Sequence, residues 1–276
     1  ASFVCINNPE DFHQKKITLL EQQNTKEQMS RFFKNWAGRY FSNIRIYELL
    51  KQTYQVEDLE NHHEEFKLIF DHLNSFRGLC FTKVGLTGTD KINLSIEQNS
   101  PFMKTEKRES FLIPGSPVIC TRNQYEFNLM NGDQGIRLNF KSKNSNKIEV
   151  KALFQVEGQF KTFYDHQLNS LELAFAITVH KSQGSEYDNV ALILPSEEAN
   201  LEESKTAQGF KELQNLEMIY TAITRARRSV IVVGQRQVLL NALQRRVKRN
   251  SGLMNLFVHQ EKESDHSTHN FPLKVS

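Results

Sequence analysis

Cysteine is scarce in this chain. The 276 residues contain three, Cys5, Cys80 and Cys120. Their wide spacing and odd number exclude a disulfide framework and a cysteine-based zinc site. They point to a reducing, cytoplasmic setting. No apolar run approaches the roughly 18 residues that a membrane span needs. The opening ASFVCINNPEDF lacks the basic segment and apolar stretch of a signal peptide. No internal repeat is present. Also missing is a GxxxxGK[ST] loop; Gly85–Lys91, GLTGTDK, has neither the spacing nor the final hydroxyl. No Asp-Glu dipeptide follows an apolar strand. The chain therefore lacks the lysine, hydroxyl and carboxylate that such motifs bring to a nucleotide and its Mg²⁺.

What is present is a soluble globular composition, 38% hydrophobic and 24% charged. The length suits one large domain or two modest ones. The net charge is only +3, but it is unevenly spread. From Met218 to Gln260 there is no Asp or Glu, while Arg225, Arg227, Arg228, Arg236, Arg245, Arg246, Lys248 and Arg249 all fall there. Such a block suits phosphates, or is simply a solvated helix face. Glu57, Asp58, Glu60, Glu64 and Glu65 make an acidic stretch that reads as an exposed helix or loop.

Apolar spacings of three and four predict helices over Glu10–Leu20, Lys26–Tyr40, Ser42–Lys51 and Asp58–Phe70. Their aromatics, Phe32, Phe33 and Trp36 among them, are expected in the core. Phe3–Ile6 and Arg77–Thr82 read as strands, and Asp90–Gln98 as a helix beyond a loop punctuated by Gly85 and Gly88. From Pro117 short strands follow: Pro117–Thr121, Tyr125–Met130, Ile136–Phe140, Lys147–Phe154 and Gln159–Tyr164. Asn131-Gly132 suggests a tight type I′ turn, and the whole suggests a small barrel. The last third alternates. Strands are expected at Leu171–Ile177, Val190–Leu194 and Ser229–Val233, and helices at Glu217–Arg227 and Val238–Val247. That order implies a parallel α/β sheet with right-handed crossovers. Glu202–Gln214 is polar, a long loop or helix, and the tail from His259 reads as disordered, its histidines solvated.

Two segments carry chemistry. In AITVHKSQGSEYD, Ala176–Asp188, a strand ends at Thr178 and polar groups crowd the following turn. Ligands bind at the carboxyl ends of strands in such sheets. Thr178, His180 and Ser182 can donate to a phosphate, Gly184 permits close backbone approach, and Glu186 can accept from a ribose hydroxyl. Alternatively the hydroxyls cap a helix and the histidine is structural. In MIYTAITRARRSVIVVG, Met218–Gly234, an apolar helix face ends in three arginines before a buried strand. Arg227 and Arg228 suit a helix C-terminus, whereas Arg225 is expected within the helix. An arginine on a rigid element can stabilise charge on a γ-phosphate.

TVHKSQGSEYD resembles motif V of superfamily 1 helicases, and IYTAITRARRSV resembles motif VI, in the expected order and with the expected strand between. Gly115–Gly135 is similar to the entry into the SH3-like insertion of RecD-type helicases. RRVKRNSGLMNLF is similar to the close of the exodeoxyribonuclease V alpha subunit. The resemblance spans about Arg77 to Phe257. It implies a RecA-like second motor domain (residues 1–118 and 173–257) interrupted by an SH3-like β insertion (119–172), with a polar tail from 258. It further implies the C-terminal half of an ATP- and Mg²⁺-dependent 5′→3′ DNA helicase acting in double-strand break repair and recombination. Arg225 matches the arginine that contacts the γ-phosphate. Gly184 and Glu186 match positions beside the nucleotide. Thr178, His180, Lys181 and Ser182 match the link to single-stranded DNA. Asn123 and the 131–135 turn match the entry to the barrel, as a DNA contact or a plain hairpin. Lys83 stands where the fourth motif has arginine, and no proline follows; a lysine cannot make the bidentate phosphate contact. Implied partners are single-stranded DNA, the N-terminal motor domain, and the beta and gamma subunits of exodeoxyribonuclease V. Half of an interdomain ATP site is expected here, and no hydrolysis by this chain alone. The alternatives are the helicase module of a relaxase, a stand-alone RecD-like helicase, or a DNA-binding scaffold without catalysis.

Overall fold

The structure, a computed structural model, describes residues 4–6, 17–104, 112–144, 147–195 and 215–246. The expected segments 202–214 and 258–276 lie outside them. Six strands form a sheet in which every ladder is parallel: β1 (Val4–Ile6), β2 (Ile17–Glu21), β4 (Phe76–Cys80), β10 (Ala176–Thr178), β11 (Tyr187–Ile193) and β12 (Ala226–Gly234). Their order is β1-β2-β12-β11-β4-β10. The apolar runs in β11 and β12 are continuous because both faces of a parallel sheet are covered. Val230 and Val232 join one core with Met218, Ile219 and Leu239, from helices α5 (Leu216–Ile223) and α6 (Arg236–Gln244). Ile231 and Val233 join the other, with Phe32, Phe33 and Trp36 of α1 (Lys26–Tyr40) and Ile92 of α4 (Thr89–Gln98). This is the α/β class expected, with helices on both faces.

The second sheet is antiparallel: β5 (Pro117–Cys120), β6 (Gln134–Lys141), β7 (Ile148–Val156), β8 (Gln159–Phe163) and β9 (Leu171–Leu173), in the order β8-β7-β6-β5-β9. Among the described residues no ladder joins β8 to β9, so the expected small barrel is an open sheet in hydrogen-bond terms. One strand, β3 (Thr53–Gln55), pairs in parallel with the far end of β6. Helices α2 (Ile44–Lys51) and α3 (His63–Leu73) share a core with this sheet, although the expected division places them with the motor domain.

Five local expectations are corrected. Ile17–Glu21 is a strand rather than the end of a helix, because its Thr18, Leu19 and Leu20 are buried beside β12. Tyr125–Met130 is not a strand; Tyr125–Phe127 is a 3₁₀ turn closed by Asn128 in the left-handed region, φ 56°. At Asn131-Gly132 only Gly132 has positive φ, 101°, so the turn is not type I′. Asp133 fixes it instead, its carboxylate accepting from Met130 N at 2.7 Å. Leu171–Ile177 is two strands in two sheets. Asn93 of α4 holds the break: its Nδ2 donates to Leu173 O (2.8 Å) and Ala176 O (2.9 Å), and Ala176 N donates to its Oδ1 (2.7 Å). Finally, the helix over Glu217–Arg227 stops at Ile223, capped at Thr224.

Two arginines, Arg77 buried and Arg137 partly buried, link the second sheet to the parallel sheet and its helix α4. Arg77 of β4 donates to Gln134 of β6, and Arg137 of β6 bridges Asp165 (2.6 Å) and Glu97 of α4 (3.3 Å).

Candidate nucleotide and nucleic-acid interface

The predicted residues gather at two ends of the parallel sheet. At the amino ends of β11 and β12, Tyr187 N donates to Arg225 O at 2.8 Å. Arg225 lies in the turn between α5 and β12, not within the helix, because α5 ends at Ile223. Its guanidinium donates to Thr221 O (3.2 Å), Ser185 O (3.2 Å) and Thr224 Oγ1 (3.4 Å). All three acceptors are neutral. Among the described residues no carboxylate pairs with Arg225, which stays half-buried with its charge uncompensated. Gly184 beside it has φ +83° and open space where a Cβ would stand. A left-handed residue with no side chain lets a ligand reach the backbone there.

The basic block looks different when folded. Arg227 pairs with Glu186 (3.0 Å), Arg228 with Asp188 (3.5 Å) and Arg236 with Glu21 (3.3 Å). The carboxylates missing from the sequence neighbourhood are supplied by β2, β11 and the turn before β11. Glu186 therefore sits near Arg225, as expected, but its exposed carboxylate is engaged by Arg227. Lys248 and Arg249 lie outside the described residues.

The second group follows the carboxyl ends of β4 and β10. Residues His180–Ser182 form a 3₁₀ turn after β10. Thr178 Oγ1 accepts from Lys181 N at 3.4 Å, and His180 is exposed. Ser182 is fully buried and donates its hydroxyl to Val179 O at 2.6 Å. That geometry corrects its expected DNA contact: Ser182 shapes the turn and leaves the surface to His180 and Lys181. Lys83 is brought to this end, not to Arg225. Its Nζ lies 2.7 Å from Glu172 Oε1, and Lys181 Nζ lies 3.1 Å from Glu172 Oε2. Lys83 follows the carboxyl end of β4, whereas Arg225 precedes β12, so the two occupy opposite ends of the sheet. This separates Lys83 from the expected nucleotide group.

Burial alone would raise the Glu172 carboxyl; the two lysines outweigh it and hold it below its ordinary value. The same hydrogen bond raises the Lys83 ammonium. A polar cleft of about 480 Å³ opens beside this triad, lined by Thr121, Arg122, Asn169, Ser170 and Glu172. Asn123, at its neighbouring rim, is committed internally. Its Nδ2 donates to Tyr125 OH (2.9 Å), and its Oδ1 accepts from Asn131 N (2.8 Å). The plain structural role fits it. Sequence reading passed over Glu172, Arg122 and Asn93. Glu172 carries no local motif, and only the fold brings it between two lysines.

The loop bearing Lys83 has a steric requirement. A Cβ on Gly88 would stand 2.2 Å from Val84 O and 2.5 Å from Lys83 O. Backbone cannot yield as a side chain does, so Gly88→Ala is expected to destabilise the protein by about 1–3 kcal/mol. Urea unfolding measures this; a loss within error of zero would show that the loop shifts freely.

Comparison with known proteins fits this arrangement. Residues 173–233 match the UvrD-like helicase C-terminal domain. That match covers β10, β11 and β12 as far as Val233, including the turn after β10 and Arg225. By that match the chain is similar to the C-terminal part of a superfamily 1 helicase. Within that class the chain is RecD-like. It is 31% identical over 181 residues to the RecBCD enzyme subunit RecD of Mycolicibacterium smegmatis, covering 66% of this chain and 29% of that protein. It is 28% identical over 142 residues to the ATP-dependent RecD2 DNA helicase of Deinococcus radiodurans, covering 51% of this chain and 17% of that protein. The chain thus spans less than a third of the length of the curated relatives it matches. A solved Pif1 helicase from Bacteroides, in complex with ADP-AlF3 and ssDNA, aligns with 82% of this chain and 55% of its own, at 15% identity and a TM-score of 0.36.

Proposed function

We propose that this chain is the second motor half of an ATP-dependent 5′→3′ DNA helicase, the alpha subunit of exodeoxyribonuclease V, serving double-strand break repair and recombination with beta and gamma partner subunits. The observation that carries the reading is Arg225: a half-buried guanidinium held by three neutral acceptors beside the open Gly184. A cation with no carboxylate partner among the described residues suits a γ-phosphate presented by another domain. Bound ATP supplies the free energy for movement, and its Mg²⁺ ligands belong to the N-terminal motor domain. Gly184 and Ser185 offer backbone to the nucleotide, and Glu186 stands at its edge. His180 and Lys181 face the single strand, positioned by the buried Ser182 hydroxyl. Closure of the cleft against the other domain is passed from Arg225, through Ser185, along the 178–186 segment to those DNA contacts.

Lacking the P-loop, the chain holds half a site. ATP turnover is expected from the full-length protein, stimulated by single-stranded DNA, and none from this chain alone. Turnover by the purified chain would overturn the half-site reading.

A further inference from the structure

Lys83 and Lys181 both follow the carboxyl ends of parallel strands, yet neither is free. One carboxylate holds both, each lysine on a different oxygen, at 2.7 and 3.1 Å. The three groups come from three elements: the loop after β4, the turn after β10, and β9 of the second sheet. Glu172 also lines the polar cleft beside those elements, with Thr121 and Arg122 from the segment after β5. We propose that Glu172 is an internal stand-in for a nucleic-acid phosphate, occupying Lys83 and Lys181 in the free protein and yielding them to single-stranded DNA.

The physical case has three parts. An ammonium has three N–H donors, and a carboxylate bridging two of them reproduces the contact that a phosphate diester would make through two oxygens. The side chains remain between a third and a half exposed, so the pairs are weak and salt-sensitive, and a polyanion can displace them. The exchange also conserves charge balance: the cleft never presents two bare lysines to each other, which repel when unpaired. Glu172 is then a specificity-determining residue. It holds the cleft closed to weak anions and open to a strand that engages both lysines at once.

This inference rests on the reading of the chain as a DNA motor. Its test is the salt dependence of single-stranded oligonucleotide binding by the full-length protein, with Glu172→Gln compared with wild type. Glu60→Gln, an exposed change far from the cleft, is the control for bulk charge. With Glu172 neutral and isosteric, low-salt affinity is expected to rise on the order of tenfold, and the slope of log K against log salt to steepen by about 1. Adding Lys83→Met and Lys181→Met should erase the gain. If Glu172→Gln behaves as Glu60→Gln, the proposal is wrong. If it weakens binding, Glu172 holds the lysines for DNA rather than competing with it, and the proposal is equally wrong. If wild type itself fails to bind, the DNA-motor reading fails first and removes the ground for this one.

Discussion

Arg225→Ala in the full-length protein is expected to lower DNA-stimulated ATP turnover by about 10³-fold or more, the range reported for arginines that neutralise a γ-phosphate. The side chain has little structural work that water cannot take over. Its acceptors, Thr221 O, Ser185 O and Thr224 Oγ1, lie at the end of α5 and in a half-exposed loop. Solvent can hydrate them when the guanidinium is gone, so thermal unfolding should shift little. Single-stranded DNA binding without nucleotide should hold within about twofold, because His180 and Lys181 lie at the other end of the sheet. Arg225→Lys should rescue only part of the loss. A point charge cannot both grip the Ser185 carbonyl and present a planar fork to phosphate. Turnover surviving in Arg225→Ala would remove the phosphate-sensing role.

Arg77→Ala is expected to cost about 3–5 kcal/mol of stability, read from the urea midpoint. Arg77 is 1% exposed and has no carboxylate partner among the described residues. It is held by Leu73 O (3.0 Å) and Gln134 Oε1 (2.6 Å), with its guanidinium carbon 4.8 Å from the centre of the Tyr187 ring. Truncation leaves a void the size of a long side chain, one buried and one part-buried acceptor without donors, and an aromatic face without its cation. For a domain stable by about 5–15 kcal/mol that is a large fraction. Arg77→Met fills the void but not the acceptors, so it should recover part of the loss. A loss under about 1 kcal/mol in Arg77→Ala would mean that water solvates the site in the native state.

Much of the parallel sheet was legible in the sequence. β11, β12, α1 and α4 stand where apolar runs and spacings of three and four placed them, because their burial pattern is written locally. Arg225, Gly184 and Glu186 are singled out by motif, and the fold brings their segments to one end of the sheet. What was not legible depended on distant partners. Ile17–Glu21 has helical spacing by chance and is a strand because β12 lies beside it. Leu171–Ile177 is apolar apart from Glu172, and only the Asn93 amide shows that it breaks. Lys83 belongs with the nucleotide by its place in a motif, yet its loop follows the carboxyl end of β4, where it pairs with Glu172. The basic block seemed unpaired because its carboxylates are remote in sequence.

The Asn93 clamp has a mechanical consequence. Between the last ladder residue of the second sheet, Leu173, and the first of the parallel sheet, Ala176, only Ala174 and Phe175 intervene, and both are buried. A hinge needs residues free to change φ and ψ, and here neighbouring carbonyls and an amide are pinned to α4. The return of the chain is thus a weld rather than a swivel. On the proposed helicase reading, rotation of the parallel sheet about the nucleotide should carry the second sheet with it as a stiff outrigger, sweeping one edge along the strand.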